Sequence, residues 1–331
     1  MPKKYIITHK GKTLETNHFY PLSKEECDAL RKAYYEKPNW ELVKQNFISV
    51  EAGKTNVSHI TNWYVKDLMA KVKLYSPRWS IEEVLESDDL LCYFWSRVMA
   101  SEKVYPKNHS PIKNLETALR ISGGGVAMKP SNFPMQTIDY ILQNYNTNNN
   151  YYDYSCGWGV RLLSSMKNRV NYFGTDPNDI LVDRLNHIKK DYESINNISS
   201  NTDIRCVGSE IYQEDWDNKM GLAFSSPPYF GLEDYRIGKQ SYTEGMEYDY
   251  WLKSYIEPTL INIHKYLTDD GYFLINIKDY ENYHLCDDTK NITENNGFIY
   301  IESIQLKNRI RPSAKKDLNT DESIMVFRKK A

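Results

Sequence analysis

The chain is poor in the features that announce a compartment or a partner. Its 331 residues hold five cysteines, Cys27, Cys92, Cys156, Cys206 and Cys286, an odd number, far apart and without a Cys-x-x-Cys pair. That pattern excludes a disulfide framework and a structural zinc site, and no metal is expected. No apolar run approaches the roughly 20 residues that cross a bilayer, so no membrane partner is expected. Met1-Pro-Lys-Lys-Tyr5 lacks the apolar stretch of a signal peptide, which gives the expectation of a cytoplasmic protein. Nor is there an excess of positive charge: 42 Lys and Arg face 44 Asp and Glu, a net charge of −2. A nucleic-acid partner would have to be held by local clusters, and the candidates are Lys3, Lys4, Lys10 and Lys12, then Lys66 to Lys73, then Arg309 to Lys316. Each also has the composition of an ordinary solvated surface. No internal repeat is present.

What the chain has in quantity is aromatic: 27 tyrosines and 7 tryptophans. Such rings fill cores, and they also suit stacking on bases.

Two regions differ in pattern. Residues 1–120 are expected to form a mainly helical domain without a nucleotide-binding pattern. Ser23-Lys-Glu-Glu26 and Ser80-Ile-Glu-Glu83 both have capping-box spacing, and a further helix is predicted from His59 to Leu74. Residues 105–111 read as a linker and Gly123-Gly-Gly125 as a loop. From Asn150 short apolar strands alternate with amphipathic helices, the mark of a parallel sheet with crossover helices. Strands are predicted at Tyr151 to Ser155, Asn171 to Thr175, Asp203 to Val207, Gly221 to Ser225 and Tyr272 to Ile277, with two more in the tail, 299–306 and 323–328. Leu181, Leu185, Ile188 and Tyr192 mark the helix after the second strand, and Trp251 to Leu267 another.

Ligands of such sheets sit beyond the carboxyl ends of the strands, and three segments with chemistry to offer lie there. The first is Asp153-Tyr-Ser-Cys-Gly157-Trp-Gly159-Val-Arg161, whose glycines let a ligand approach the backbone at a helix N-terminus. Leu162 stands where the dinucleotide fingerprint needs its third glycine, so that motif is excluded. Asp176 comes second, at the end of the next strand; a carboxylate there can accept both hydrogen bonds of a ribose diol, or cap a helix ahead of Pro177. The third is Ser225-Ser226-Pro227-Pro228-Tyr229-Phe230. Two prolines at a strand end fix the chain rigidly. The Ser226 hydroxyl and the carbonyl before a proline can accept from an exocyclic NH2, and Tyr229 can stack on the ring that bears it.

On these residues the chain resembles the amino-group DNA methyltransferases, whose hallmark is Asp, Asn or Ser followed by Pro-Pro-Tyr/Phe. The resemblance covers residues 121–331. It implies an α/β, Rossmann-like methyltransferase fold with a mostly parallel seven-stranded sheet, S-adenosyl-L-methionine as cofactor and double-stranded DNA as partner. Cofactor contacts are implied for Lys129 and Phe133 ahead of the Gly loop, for Asp153, Ser155, Cys156, Gly157 and Gly159, for Asp176 and Pro177, for Ser209 and Glu210 at the adenine, and for Ser225. Catalysis is implied for Ser226, Pro227, Pro228 and Tyr229, acting on a flipped base and without a covalent intermediate. A serine at the first motif position favours cytosine N4 over adenine N6. The Gly loop departs from the family form, reading Ser-Cys-Gly-Trp-Gly where Phe-x-Gly-x-Gly is usual. Cys156 lies inside that loop and no Pro-Cys segment exists, which argues against cytosine-C5 chemistry. The span between the Gly loop and Ser226 is too short for an inserted recognition domain, so DNA reading falls to residues 1–120, with Leu232–Tyr248 and Arg309–Lys316. Competing readings are a methyltransferase of the same fold acting on RNA or a protein glutamine amide, and an inactive DNA-binding homologue.

Overall fold

The computed structural model describes residues 4–74, 79–100, 115–116, 119, 130–279, 282–305 and 323–330. Lys129, the linker at 105–111, the glycines at 123–125 and the basic run 309–316 lie outside the described residues. The chain divides into two compact units, and neither is one continuous stretch. One comprises residues 1–40, 62–131 and 232–237, the other 41–61, 132–231 and 238–331.

The first unit opens on strands, where a mainly helical region was expected. Lys10 and Gly11, at φ +46° and +72°, form the tight turn of a hairpin between β1 (Tyr5–His9) and β2 (Lys12–Thr16). Positive φ at both turn positions gives the twist that a two-residue hairpin requires. The alternation puts Ile7 and Leu14 into a core with Leu30, Tyr34, Trp79, Val84, Leu91 and Phe94. Both capping boxes form: the Ser23 hydroxyl accepts from the Glu26 amide at 3.2 Å, and that of Ser80 from the Glu83 amide at 3.2 Å. They start helices Lys24–Tyr35 and Ile81–Glu86. The helix expected from His59 to Leu74 is split into Ser58–Tyr64 and Lys66–Lys71. Its last residues form instead β3 (Lys73–Leu74), which pairs with β8 (Glu233–Asp234).

The second unit is built on a seven-stranded sheet. Its strands are β4 (Asn150–Asp153), β5 (Asn171–Thr175), β6 (Thr202–Arg205), β7 (Met220–Ser225), β9 (Leu267–Ile277), β10 (Phe298–Gln305) and β11 (Ser323–Lys329). They lie in the order β10-β11-β9-β7-β4-β5-β6. Pairing is parallel from β6 to β9, and antiparallel only where β11 meets β9 and β10. This is the Rossmann-like methyltransferase sheet that the family resemblance implied. Every residue of β7 is buried, as the all-apolar sequence of a central parallel strand demands. Boundaries shift by a few residues from those predicted: β4 ends at Asp153, so Tyr154 and Ser155 belong to the turn, and β9 starts at Leu267.

Strand order decides where a ligand can sit. From β4 the chain moves outward to β5 and β6, then returns to the other side of β4 to make β7. The connections leaving β4 and β7 therefore diverge and open a crevice at their carboxyl ends.

Candidate active site

The loops leaving β4 and β7 meet in that crevice. The Ser225 hydroxyl donates to the Ser155 carbonyl at 3.1 Å. Tyr154 donates its hydroxyl to the carbonyls of Ser225, at 3.3 Å, and Leu274, at 3.0 Å. The Gly loop and the Ser-Pro-Pro-Tyr segment are thus one hydrogen-bonded body.

Asp153, wholly buried, holds the Gly loop in shape. Its Oδ2 accepts from the Arg161 Nε at 2.8 Å and from the Tyr172 hydroxyl at 2.8 Å. Arg161 also donates to the Ser155 carbonyl, pinning the loop from the helix it precedes, Val160–Lys167. Burial by itself would lower the Arg161 pKa, but the adjacent Asp153 carboxylate more than offsets it, so the guanidinium stays charged. Gly157 and Gly159 sit at φ +58° and +86°. A Cβ on Gly159 would stand 3.0 Å from Ile188 Cδ1 and 3.1 Å from Leu185 Cδ2, so this glycine sets how closely the helix Asp179–Asn196 packs. Cys156 is buried with its thiol on the Thr175 carbonyl at 3.3 Å, and burial pushes its pKa well up. Such a thiol is no nucleophile.

Asp176 follows β5 at the edge of the same crevice. It does not cap the following helix. Asn178 is the N-cap, its side chain accepting from the Leu181 amide at 3.1 Å, while Asp176 Oδ1 accepts from the Asn178 amide at 3.1 Å. Pro177 is the turn between them. Burial is the main reason that the Asp176 carboxyl is raised to about 7, and the Asp153 charge adds to it. A buried carboxylate with lone pairs still to fill fits a pair of hydroxyl donors.

Ser226, Pro227, Pro228 and Tyr229 run out from β7. The parallel register pairs Ser225 with Ile275, which brings Asn276 beside Ser226. Asn276 Nδ2 donates to Ser226 Oγ at 3.1 Å and to the Tyr229 hydroxyl at 3.4 Å, and that hydroxyl donates to the Asn276 carbonyl at 3.2 Å. Both ends of the motif are therefore fixed by one residue of β9. The Tyr229 ring is only 5% exposed and the serine is half-buried. Phe230 packs edge-on against Tyr242, Tyr248 and Tyr283, with ring centroids 4.8 to 5.2 Å away.

The remaining candidates are placed less centrally. Phe133 packs edge-on against Phe224 of β7, with ring centroids 5.5 Å apart. Ser209, after β6, is buried with its hydroxyl on that of Thr259 at 2.8 Å and its carbonyl accepting from Asn262 Nδ2 at 3.0 Å. Glu210 folds its carboxylate over Gly208, where a Cβ would meet Glu210 Oε2 at 2.2 Å. Among the described residues no group of three or more His, Cys, Asp or Glu side chains is placed to hold a metal, and no helix is long and apolar enough to cross a membrane.

The family model described as DNA methylase, of the N6 and N4 type, aligns from β7 to the end of the chain. The match covers residues 220–331, about a third of the chain. The match includes Ser226 to Tyr229 and Asn276. No curated protein matches the chain. Among solved structures, similarity is found to a TehB-like S-adenosylmethionine-dependent methyltransferase from Corynebacterium glutamicum, at 18% identity and TM-score 0.38, covering 58% of this chain and 87% of that one. Another is the 1,6-didemethyltoxoflavin-N1-methyltransferase of Burkholderia thailandensis, at 12% identity and TM-score 0.40, covering 60% and 78% respectively.

Arg161 and Asn276 were not singled out from the sequence. Both carried a signal. An arginine among the apolar residues of the first helix turn, and an asparagine inside Phe273-Leu-Ile-Asn-Ile277, are polar groups where the pattern buries the chain. A buried polar group needs partners, and here the partners are the two candidate loops.

Proposed function

We propose that this chain methylates an exocyclic amino group of a base in double-stranded DNA, with cytosine N4 favoured over adenine N6. The observation that carries this is the junction of the Gly loop and the Ser-Pro-Pro-Tyr segment at the β4/β7 crevice through the Ser225–Ser155 hydrogen bond of 3.1 Å. S-adenosylmethionine supplies, when bound, a methyl group on a positively charged sulfur. Gly157, Gly159 and the backbone of Ser155 and Cys156 line its approach, with Phe133, Ser209, Glu210 and Ser225 around it, and Asp176 accepts from the ribose hydroxyls.

Ser226 and the carbonyl preceding Pro227 accept the two N–H bonds of the amino group. Holding both hydrogens in this way draws the nitrogen lone pair out of conjugation with the ring and toward the methyl group. Ser226 carries no negative charge, so its contribution is orientation, and positioning supplies much of the rate. Asn276 keeps the serine lone pairs aimed by donating to Oγ. Tyr229, anchored at its hydroxyl, holds the ring that bears the amine. A base inside a duplex cannot reach such a pocket, so it is flipped out. DNA reading is assigned to residues 1–120 with Leu232–Tyr248 and Arg309–Lys316. The grouping of residues 232–237 with 62–131 in one compact unit supports that assignment.

The test is methyl transfer from labelled S-adenosylmethionine to defined duplexes, followed by nucleoside analysis. N4-methylcytosine is the expected product. N6-methyladenine would correct the base, and 5-methylcytosine alone would overturn the mechanism.

A further inference from the structure

The helix Glu257–Tyr266 buries two stripes of different chemistry. Leu260 and Ile263 face a small apolar cavity that they share with Pro227, Phe273 and Ile275. Thr259, Asn262 and Tyr266 are equally buried, at 4%, 4% and 0% exposure, yet polar. Their spacing, i, i+3 and i+7, puts them on one face. Each is bonded to the loop that leaves β6. The Thr259 and Ser209 hydroxyls meet at 2.8 Å, Asn262 Nδ2 donates to the Ser209 carbonyl at 3.0 Å, and the Gln213 amide donates to the Tyr266 hydroxyl at 2.6 Å. The turn just before this helix, Leu252–Ile256, is π-helical, and Pro258 lacks the N–H that would continue an i→i−4 ladder into it. A π-turn holds about one residue more than an α-turn, so the polar stripe is rotated by about 100° from where an unbroken α-helix would carry it.

An apolar stripe would cover the loop without three buried polar groups to satisfy. What hydrogen bonds add to burial is direction. The loop opens with the turn Gly208–Ile211, closed by the Ile211 amide on the Gly208 carbonyl at 3.0 Å. Ser209 is held from inside by hydroxyl and carbonyl together. In a planar trans peptide the N–H points opposite to the C=O. With the Ser209 carbonyl turned in to Asn262, the Glu210 amide is therefore turned away from the helix, a donor aimed out of the turn.

We propose that Asn262 and Thr259 are positioning residues for the adenine of S-adenosylmethionine, which aim the Ser209–Glu210 turn at the edge of that ring. The assignment rests on the reading that sets the adenine at Ser209 and Glu210.

The experiment measures by calorimetry the affinities of S-adenosylhomocysteine and its hypoxanthine counterpart, S-inosylhomocysteine. It compares the unmodified protein with Asn262→Ala, Thr259→Val, Thr259→Ser and Thr293→Val. Adenine has an acceptor at N1 where hypoxanthine has an N–H, so a fixed donor at that edge separates the two. The unmodified protein is expected to prefer the adenine form roughly tenfold or more. Asn262→Ala and Thr259→Val should each lose most of that preference, binding the adenine form roughly three- to tenfold more weakly and the hypoxanthine form as before. Their kcat at saturating S-adenosylmethionine stays parental, because the amine and the methyl group are untouched. Thr259→Ser keeps the hydroxyl and the preference. Thr293→Val removes a hydroxyl just as buried, bonded to the Thr289 carbonyl at 2.6 Å in the helix Leu285–Asn295, and should lose stability without losing preference. Should Asn262→Ala not fold, Thr259→Val, close to threonine in shape, decides. A parental preference in both Asn262→Ala and Thr259→Val overturns the proposal. So does an equal loss in Thr293→Val, which would show that loosening the domain anywhere is enough. If the unmodified protein does not separate the two forms, the placing of the adenine at Ser209 and Glu210 fails, and the positioning role with it.

Discussion

Replacing Asp176 by asparagine should stabilise the free protein above neutral pH while weakening its hold on the cofactor. The carboxyl rises from an ordinary 3.8 to about 7, mainly through burial. In the folded state it keeps its proton up to about pH 7, whereas in the unfolded chain it loses it near 3.8. Between those values the folded state binds more protons than the unfolded one, so stability falls as pH rises through the window and the loss is complete above 7. At about 1.4 kcal/mol per pH unit, a displacement of about three units costs about 4 kcal/mol. Asparagine removes the charge, keeps an oxygen for the Asn178 amide, and leaves an NH2 to be satisfied at a cost of about 1–3 kcal/mol. A net gain of roughly 2 kcal/mol near pH 8 is expected for Asp176→Asn, and none near pH 5, where the parent carboxyl is already neutral.

Cofactor affinity should move the other way. Hydrogen bonds from hydroxyls to a carboxylate contribute about 1.5–3 kcal/mol, so Asp176→Asn should raise the Kd roughly ten- to hundredfold. In the unmodified protein the affinity should also fall as pH drops below about 7, and binding below that pH should release a proton. Urea unfolding near pH 5 and pH 8 reads the first effect, and calorimetry in two buffers of different ionisation enthalpy reads the second. An Asp176→Asn protein destabilised near pH 8, or one with parental cofactor affinity, would refute the reasoning.

Arg161→Ala leaves Asp153 buried with only neutral donors, the Tyr172 hydroxyl and the Ser155 amide, and should cost about 3–5 kcal/mol in denaturant unfolding, with loss of cofactor binding. Gly159→Ala adds a Cβ at 3.0 Å from Ile188 on top of left-handed strain, for a cost of about 2–4 kcal/mol. Gly53→Ala, at φ +88° with open space around it, should cost only about 1–2 kcal/mol, and equal losses in the two variants would show that packing at Gly159 is slack. Ser226→Ala and Asn276→Ala should each lower kcat by roughly tenfold or more with cofactor Kd unchanged, because both act on the amine and not on the cofactor. Full activity of Ser226→Ala would show that the serine does not accept from the substrate.

The legible parts of this chain were those whose cause is local. Ser23 and Ser80 cap helices because the serine hydroxyl accepts from the amide of the glutamate three residues on, and that glutamate's carboxylate accepts from the serine amide. The five parallel strands were read from apolar runs between turn residues, and the three loops from their place after those strands. What escaped was non-local. Lys73 and Leu74 follow a helical pattern in sequence, and become a strand only because Glu233 and Asp234, about 160 residues on, offer a partner. Asp176 read equally well as a cap or as a diol acceptor; the cap went to Asn178, and only the fold could show it. Asn276 becomes intelligible once the register sets it beside Ser226, since strand pairing decides which buried polar group meets which. The candidate site follows the same division. Its glycines and prolines could be read because they constrain their own backbone. Arg161 and Asn276, which hold those backbones in place, act across the sheet and had no local signature beyond being polar where the chain is buried. A serine motif without charge leans on such supports more than an aspartate would, so the strongest test of the Ser226 assignment is made at Asn276. If removing the amide lowers kcat as far as removing the serine, and the double variant loses no more than either alone, the two act as one unit; additive losses would mean that Asn276 merely packs.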